Sequence, residues 1–325
     1  MREELLEEVS AKCEEIINCV AKVFVGKPQV IRKLLAAALA NGHVLLEDYP
    51  GLGKTLMVKA LAKTIGCKFT RVQFTPDLLP ADIIGTKVWR PSTGSFELIK
   101  GPIFTNVLLA DEINRSPPKT QSALLEAMEE RQITIEGETY RLEEPFFVLA
   151  TQNPIEMEGT YPLPEAQLDR FMLKMSVGYP EGLEEEVEIL RRRIGWRKDD
   201  PTTDLKAVIT AEEFRGLQRA VEEVYVDRCI LEYIARIVRS TRRHPKVEVG
   251  SSPRGALALM KASKALALIK GRDFVTPDDV KEVAVEALAH RIVLKMDYAV
   301  EGAKGEEVVR EVISSVPVPK DYGPG

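Results

Sequence analysis

The sequence predicts a doubly wound α/β domain over residues 1–200 and a smaller all-α domain over residues 201–325. Five short apolar runs alternate with helical or looped segments, which is typical of a parallel sheet covered by helices on both faces. A polar stretch at residues 198–204 indicates a linker, and the pattern beyond it is helical. The five runs are residues 44–46, 69–74, 107–110, 146–151 and 171–177.

Composition and charge fit a globular protein without a membrane segment. The chain has 325 residues, of which 45% are hydrophobic and 29% are charged, enough for two domains with cores of their own. Its longest apolar run, residues 34–40, is too short to cross a bilayer, and residues 1–20 begin acidic rather than basic, so we expect a cytoplasmic protein. The net charge of −5 disfavours a dedicated nucleic-acid binder, which needs a clustered basic surface.

The cysteines and histidines form no recognisable pattern. Four cysteines show no C-x-x-C spacing and three histidines are scattered, so neither a disulfide framework nor a zinc site is predicted. We expect Cys13, Cys19, Cys67 and Cys229 to be reduced, buried packing residues.

Both halves of the chain contain sequence patterns that predict helices. Residues 3–20 place apolar side chains on one stripe and acidic ones elsewhere, which predicts an amphipathic helix. A charged helix at residues 184–193 follows the last predicted strand. In the second domain, Ser252-Pro253 and Thr276-Pro277 each combine an N-cap residue with proline at the first helical position.

Two β-hairpins interrupt the alternation of strands and helices. Residues 86–90 and 95–99 flank a Pro-Ser-Thr-Gly turn, and residues 132–136 and 139–142 flank Gly137-Glu138. Because both hairpins are inserted into an α/β core, they are candidate contact surfaces.

Residues 44–55 predict a phosphate-binding loop. An apolar strand leads through a glycine turn into a helix that begins with Lys54 and Thr55, so backbone N–H groups and the helix dipole would face an anion. Lys54 would reach the β and γ phosphates of a nucleotide, and the Thr55 hydroxyl would hold Mg²⁺. The pattern G-x-x-x-x-G-K-[ST] has glycine where this chain has Asp48, and we expect that carboxylate to point away from the phosphates. The loop residues expected to bind nucleotide are Pro50, Gly51, Leu52, Gly53, Lys54, Thr55 and Leu56.

Two later strands end in polar side chains of the kind that an ATPase needs opposite its lysine. Residues 107–110 are apolar and lead into Asp111, which could order Mg²⁺, and Glu112, which could polarise the attacking water. Asn153 follows the next buried strand and could orient that water. The alternatives are a strand-end turn with two solvated acids and a simple strand cap.

These motifs make the sequence resemble the MoxR family of AAA+ ATPases from about residue 26 to about residue 292. The resemblance rests on the phosphate loop, the segment DEINRSPPKTQSALLEAMEE at residues 111–130, ATQNP at 150–154 and LPEAQLDRF at 163–171. It implies a P-loop AAA+ core with a C-terminal all-α lid, ATP and Mg²⁺ at the subunit interfaces of a usually hexameric ring, and a chaperone-like role in maturing client proteins. Partners bearing von Willebrand factor A domains are also implied.

The resemblance assigns a role to each matching residue of the core. Lys54 and Thr55 match the Walker A pair, Asp111 and Glu112 match the Walker B pair, and Asn153 matches the first sensor. The two hairpins match an insert in the family's second helix and a hairpin before the strand-end asparagine.

Further matches concern the subunit boundary and the adenine side. Arg170 matches the arginine finger, although an exposed ion pair with Asp169 is the plainer interpretation. Arg254 matches the second sensor, and it places a positive charge at a helix N-terminus, where the dipole disfavours one, which suggests an anionic partner. Val25-Gly26 resembles the adenine-side segment, and Arg115 is a candidate to face a neighbouring subunit.

Other activities fit the sequence less well. A GTPase is disfavoured because the chain has no N-K-x-D motif. A nucleic-acid motor, a magnesium-chelatase-like subunit, and an interaction module that binds ATP without turnover remain as alternatives. Binding alone would require none of Glu112, Asn153 and Arg170.

Overall fold

A five-stranded parallel sheet lies at the centre of residues 44–175. The computed structural model describes residues 3–154, 159–320 and 322–323. Its strands are β1 (Val44–Glu47), β2 (Phe69–Gln73), β3 (Gly85–Arg90), β4 (Ser95–Lys100), β5 (Val107–Asp111), β6 (Gln132–Ile135), β7 (Glu138–Arg141), β8 (Phe147–Gln152), β9 (Leu173–Met175), β10 (Val247–Val249) and β11 (Val293–Leu294). Its helices are α1 (Glu3–Ala21), α2 (Pro28–Leu39), α3 (Lys54–Thr64), α4 (Pro80–Ile84), α5 (Pro118–Glu130), α6 (Glu165–Leu168), α7 (Leu183–Trp196), α8 (Ala211–Glu223), α9 (Arg228–Thr241), α10 (Pro253–Ile269), α11 (Pro277–Leu288), α12 (Met296–Val300) and α13 (Gly305–Ser315).

The order of the sheet is β2-β5-β8-β1-β9, with every neighbouring pair parallel. The five predicted strands are confirmed, although the last is shorter than the apolar run that predicted it. Gln73 lies opposite Asp111, and Leu46 lies opposite Thr151, so the carboxyl ends of β2, β5, β8 and β1 meet at one edge. The buried apolar residues of β5 and β8 reflect the burial of both sheet faces.

Both predicted hairpins are confirmed outside the central sheet. β3 pairs antiparallel with β4, and β6 pairs antiparallel with β7. An ion pair of 2.7 Å between Lys87 Nζ and Glu138 Oε1 joins the two hairpins. At the first hairpin, the exposed rings of Trp89 and Phe96 pack edge to face.

The C-terminal part is helical, as predicted, and it includes a ribbon of β10 and β11 that the prediction did not contain. The predicted helix starts are present, since the Ser252 hydroxyl accepts from the Arg254 N–H and Thr276 forms a capping box with Asp279. One buried apolar cluster includes Leu35 of α2 and Leu266 of α10, so the two parts share a core. The division near residue 200 stays a prediction.

The stretch predicted as a linker is attached to α3. Asp200 caps a short 3₁₀ turn, Pro201–Asp204, and its carboxylate accepts from Lys59 Nζ at 2.5 Å. Lys63 Nζ donates to the Thr202 carbonyl at 2.7 Å. Both lysines lie on α3, so this connection is anchored beside the helix that follows the phosphate loop.

The expectation that all four cysteines are buried is right for two of them. Cys13 and Cys67 are buried, and burial raises the pKa of each thiol to about 12. Cys19 and Cys229 are only half-buried. Within the described ranges, no helix has the length and apolar character needed to cross a membrane.

Candidate nucleotide-binding site

The loop between β1 and α3 has the backbone of an anion-binding turn. Gly51 and Gly53 have φ angles of 85° and 75°, a region that glycine adopts without steric cost. Gly53 is the N-cap of α3, which begins at Lys54 and Thr55. The helix N-terminus and its unpaired N–H groups therefore face the cleft, as the sequence predicts.

Asp48 points away from the phosphate side, as expected. Its carboxylate accepts from Ser176 Oγ at 2.7 Å, from the Val177 N–H at 2.5 Å and from the Gly178 N–H at 3.2 Å. The residue is 4% exposed. The Asp48 carboxylate thus links the end of β1 to the segment after β9 by hydrogen bonds.

Lys54 is held over the loop by backbone carbonyls. Its Nζ donates to the carbonyls of Asp48 and Tyr49, each at 3.0 Å. Burial lowers the pKa of Lys54 from its ordinary value, although the neighbouring carboxylates of Asp48, Asp111 and Glu112 oppose that shift. The ammonium group is placed where phosphate oxygens could replace the two carbonyls.

Asp111 is fixed by side chains from both neighbouring strands. Thr151 Oγ1 donates to Asp111 Oδ1 at 2.6 Å and accepts from the Glu112 N–H at 2.8 Å. Arg71, on β2, donates to Asp111 Oδ2 from Nη2 at 2.6 Å and from Nε at 3.0 Å. A hard carboxylate and the Thr55 hydroxyl form an oxygen donor set that fits Mg²⁺.

Glu112 is oriented by its backbone and by two side chains. Its φ of 57° is unusual for a non-glycine residue, and such conformations concentrate at functional sites. Gln73 Nε2 donates to Glu112 Oε2 at 2.5 Å, and Arg115 Nη1 donates to the same oxygen at 3.1 Å. Arg115, which we considered as a contact for a neighbouring subunit, thus contacts Glu112 of its own chain.

One cleft brings together most of the predicted core residues. Asn153 directly follows β8, is 8% exposed and lines this cleft with Lys54, Thr55, Asp111 and Glu112. The lining residues are Asp48, Pro50, Gly51, Leu52, Gly53, Lys54, Thr55, Leu56, Arg71, Gln73, Asp111, Glu112, Thr151, Gln152 and Asn153. Sequence reasoning missed Arg71, Gln73 and Thr151. Their positions near the carboxyl ends of β2 and β8 were the available signal.

An apolar pocket continues from the phosphate loop. It is lined by Phe24, Val25 and Leu56, by Val177 after β9 and by Ile189 of α7. Val25 thus lines a pocket beside the phosphate loop, and its contact with adenine stays a prediction. Gly26 has a φ of 72°, a conformation that glycine adopts without steric cost, so this turn favours glycine.

Arg170 and Arg254 lie together on a different surface. Arg170 Nε is 3.3 Å from Glu129 Oε2, and Arg254 Nη2 donates to the other oxygen of Glu129. Among the described residues, the pocket that both arginines line shares no residue with the phosphate-loop cleft. Arg254 Nη1 is also 4.0 Å from Asp169 Oδ2.

Arg291, which sequence reasoning missed, anchors the segment that carries Arg170. Its side chain is 2% exposed, and its Nε donates to Asp169 Oδ1 at 2.6 Å. Its Nη2 donates to the carbonyls of Asp169 and Phe171 at 2.9 and 2.7 Å. Burial lowers the pKa of Arg291, and the charge of Asp169 opposes this. Asp169, considered above as a partner for Arg170, thus forms its close ion pair with Arg291.

Family models match both parts of the chain. The model for the ATPase family associated with various cellular activities (AAA) matches residues 43–173. The model for the AAA lid domain matches residues 239–312. The confirmed fold is therefore a P-loop AAA+ α/β core with a C-terminal helical lid.

Relatives and solved structures resemble nearly the whole chain. The uncharacterized protein YeaC of Bacillus subtilis (strain 168) is 53% identical over 317 residues, which cover 98% of this chain and 97% of YeaC. The chaperone MoxR1 of Mycobacterium tuberculosis is 43% identical over 316 residues, which cover 94% of this chain and 82% of MoxR1. A crystal structure from Cytophaga hutchinsonii has a TM-score of 0.90 and 42% identity, covering 98% of each chain.

The loop, the paired carboxylates and the two family models define an AAA+ protein. Within that class, the chain belongs to the MoxR family of AAA+ ATPases.

Proposed function

We propose that this protein hydrolyses ATP at the interfaces between subunits of a ring, hexameric as is usual in the family, and couples hydrolysis to the maturation of client proteins. The observation that carries the proposal is the separation of two sets of residues. The phosphate-loop cleft holds groups for binding and proton transfer, whereas Arg170 and Arg254 line another pocket. A second subunit would therefore supply the arginines.

Within one subunit, the cleft supplies binding and a general base. Lys54 would bind the β and γ phosphates, and Glu112, held by Gln73 and Arg115, would accept a proton from the attacking water. Asn153 would orient that water. Mg²⁺, held by Thr55 and Asp111, would neutralise phosphate charge. The pocket that includes Val25 would hold the adenine.

Across the interface, Arg170 would stabilise the charge that develops on the γ phosphate of the adjacent subunit. Arg254 would assist it in trans, because Glu129 holds both guanidinium groups on the same surface. The Glu129 carboxylate lies between the two guanidinium groups in this chain, and in a ring the γ phosphate of the adjacent subunit would take that place at the start of α10.

The biological role of the proposal follows the family. MoxR1 is named a chaperone, and we extend a chaperone-like role to this chain, with a von Willebrand factor A domain protein as a candidate partner. We place the activity in the cytoplasm, where ATP is available.

Mixing two inactive variants tests whether Arg170 acts across the interface. Arg170→Ala should lower the ATPase rate on the order of a thousandfold while nucleotide binding survives. Lys54→Ala has the opposite defect, since its phosphate site fails but its arginine is intact. After dissociation and reassembly, mixed rings should regain part of the activity, because some good sites then lie beside good arginines.

The matched control mixes Arg170→Ala with the double variant Arg170→Ala/Lys54→Ala, in which no subunit carries an arginine at position 170. That mixture should stay inactive. If verified mixed rings of the two single variants also stay inactive, Arg170 does not act on an adjacent site, and its ion pair with Glu129 is its role.

A further inference from the structure

Helix α7 carries an apolar stripe that faces outward. Leu183, Leu190 and Ile194 are 75%, 65% and 76% exposed, and along the whole helix no residue is buried. With the half-buried Val187, these residues follow the spacing i, i+4, i+7 and i+11, which at about 3.6 residues per turn forms one narrow stripe.

The opposite side of α7 faces the protein with both polar and apolar groups, since Trp196 packs against the core and Ile189 lines the apolar pocket. Arg192 Nη1 donates to the Ala21 carbonyl at 2.5 Å and Nε donates to Glu188 at 2.8 Å. Glu185 accepts from the Glu181 N–H at 2.9 Å. The helix therefore carries a second apolar stripe that the protein itself does not cover, and exposed apolar area of this kind marks an interaction surface.

The charges of α7 identify that surface. Glu184, Glu185 and Glu186 lie at its N-terminal end, and Arg191, Arg192 and Arg193 lie at its C-terminal end. Two copies of α7 packed antiparallel would therefore place the acidic end of each against the basic end of the other. A parallel pair would place like charges together.

A single register of such a pair places apolar residues against apolar residues and acidic residues beside basic ones. A two-fold axis level with the midpoint of Glu188 and Ile189 brings Leu183 opposite Ile194 of the second copy and Val187 opposite Leu190 of the second copy. This axis also sets each flank of the stripe beside the same flank of the other helix.

The flanking charges agree with that axis. Glu184 and Arg191 lie on one flank of the stripe, and Glu186 and Arg193 lie on the other, so each flank carries one acid and one base at matching heights. The ion pairs that Arg191 forms with Glu188 and Arg193 forms with Asp199 within one chain do not prevent pairing with a second copy, because both are exposed pairs of small energetic value.

We propose that α7 is a self-association surface through which two copies of this chain pair antiparallel. Such an isologous contact differs in symmetry from the head-to-tail contacts that close a ring, and it would join two rings or two free subunits. It does not depend on ATP turnover. Two helices of about 21 Å each bury less than a standard interface, so the pairing is expected to be concentration-dependent.

Sedimentation velocity of the full chain tests the apolar part of the contact. As the protein concentration rises from roughly 1 to roughly 200 µM, the mass of the sedimenting wild-type species should double. The mass of the Leu190→Asp/Ile194→Asp species should stay constant. Because neither side chain is buried, the variant should keep its fold, which circular dichroism would verify. Leu231→Asp, at another exposed leucine outside α7, is the matched control and should double like wild type.

Charge exchange distinguishes a second copy from any other partner. Glu184→Arg/Glu186→Arg and Arg191→Glu/Arg193→Glu should each weaken doubling by about tenfold or more in dissociation constant. The chain carrying all four substitutions should double again, and so should an equimolar mixture of the two variants.

Two outcomes would overturn the proposal. One is a wild-type mass that does not double in this concentration range. The other is failure of the four-substitution chain to recover doubling while it remains folded, which would assign the stripe to a different protein.

Discussion

Thr151 shows how much a single hydroxyl can fix at the proposed catalytic centre. It donates to the Asp111 carboxylate and accepts from the backbone N–H of Glu112, so one side chain on the adjacent strand fixes both residues. Gln73 and Arg115 then hold the Glu112 carboxylate. The proposed base is therefore preorganised by residues that do not themselves accept a proton.

We expect Glu112→Gln to bind ATP and keep the assembled state while turnover falls on the order of 10²- to 10⁴-fold, because an amide keeps the shape but cannot accept a proton from water. Single-turnover hydrolysis and nucleotide binding would be measured together. Glu97→Gln, on the exposed β3–β4 hairpin, is the control. Hydrolysis near the wild-type rate in Glu112→Gln would show that another group is the base.

At the scale of elements, the segment from Asp169 to Met172 is held to the lid by Arg291. Arg291→Met should leave the Asp169 carboxylate without its buried partner and lower the free energy of unfolding by on the order of 3–5 kcal/mol. Thermal and denaturant unfolding would measure this loss. The exposed Arg310, changed to Met, should have little effect. Equal unfolding of Arg291→Met and wild type would contradict the anchoring role.

The sequence predicted the positions of the strands and helices better than it predicted which side of each faces the protein. Alternation of apolar runs located all five strands of the sheet, because burial on both faces leaves a strong pattern. The β10–β11 ribbon was missed because its strands are only three and two residues long. Helix α7 was predicted as a charged helix, but periodicity does not say which stripe faces the protein.

The same limit applies to the candidate site. Lys54, Thr55, Asp111 and Glu112 follow local patterns that a single sequence displays. Arg71 and Gln73 act through strand pairing, and which strand lies beside β5 is a property of the sheet order rather than of β2 alone. The contact of Arg170 with Glu129 joins parts of the chain that no local pattern connects.

At the scale of the whole molecule, we expect nucleic acid to have no effect on the ATPase activity. With a net charge of −5, neither single-stranded nor double-stranded DNA should raise the ATPase rate or bind tightly at about 0.15 M salt. Titration of both forms into an ATPase assay, with fluorescence anisotropy for binding, would check this. A rate that rises with DNA would favour the nucleic-acid motor over the proposed chaperone-like role.

The position of Asp48 bears on how a nucleotide would move this protein. Asp48 holds the segment at Ser176–Gly178, and the ring of the next residue, Tyr49, lies 5.9 Å from that of Tyr179. This segment leads through Pro180 into the wall of the apolar pocket and on to α7. The phosphate end and the base end of a bound nucleotide would thus both contact parts of the chain that Asp48 joins. Binding or release of the nucleotide would then move the segment after β9 and α7 together, with the Asp48 carboxylate as the point of attachment.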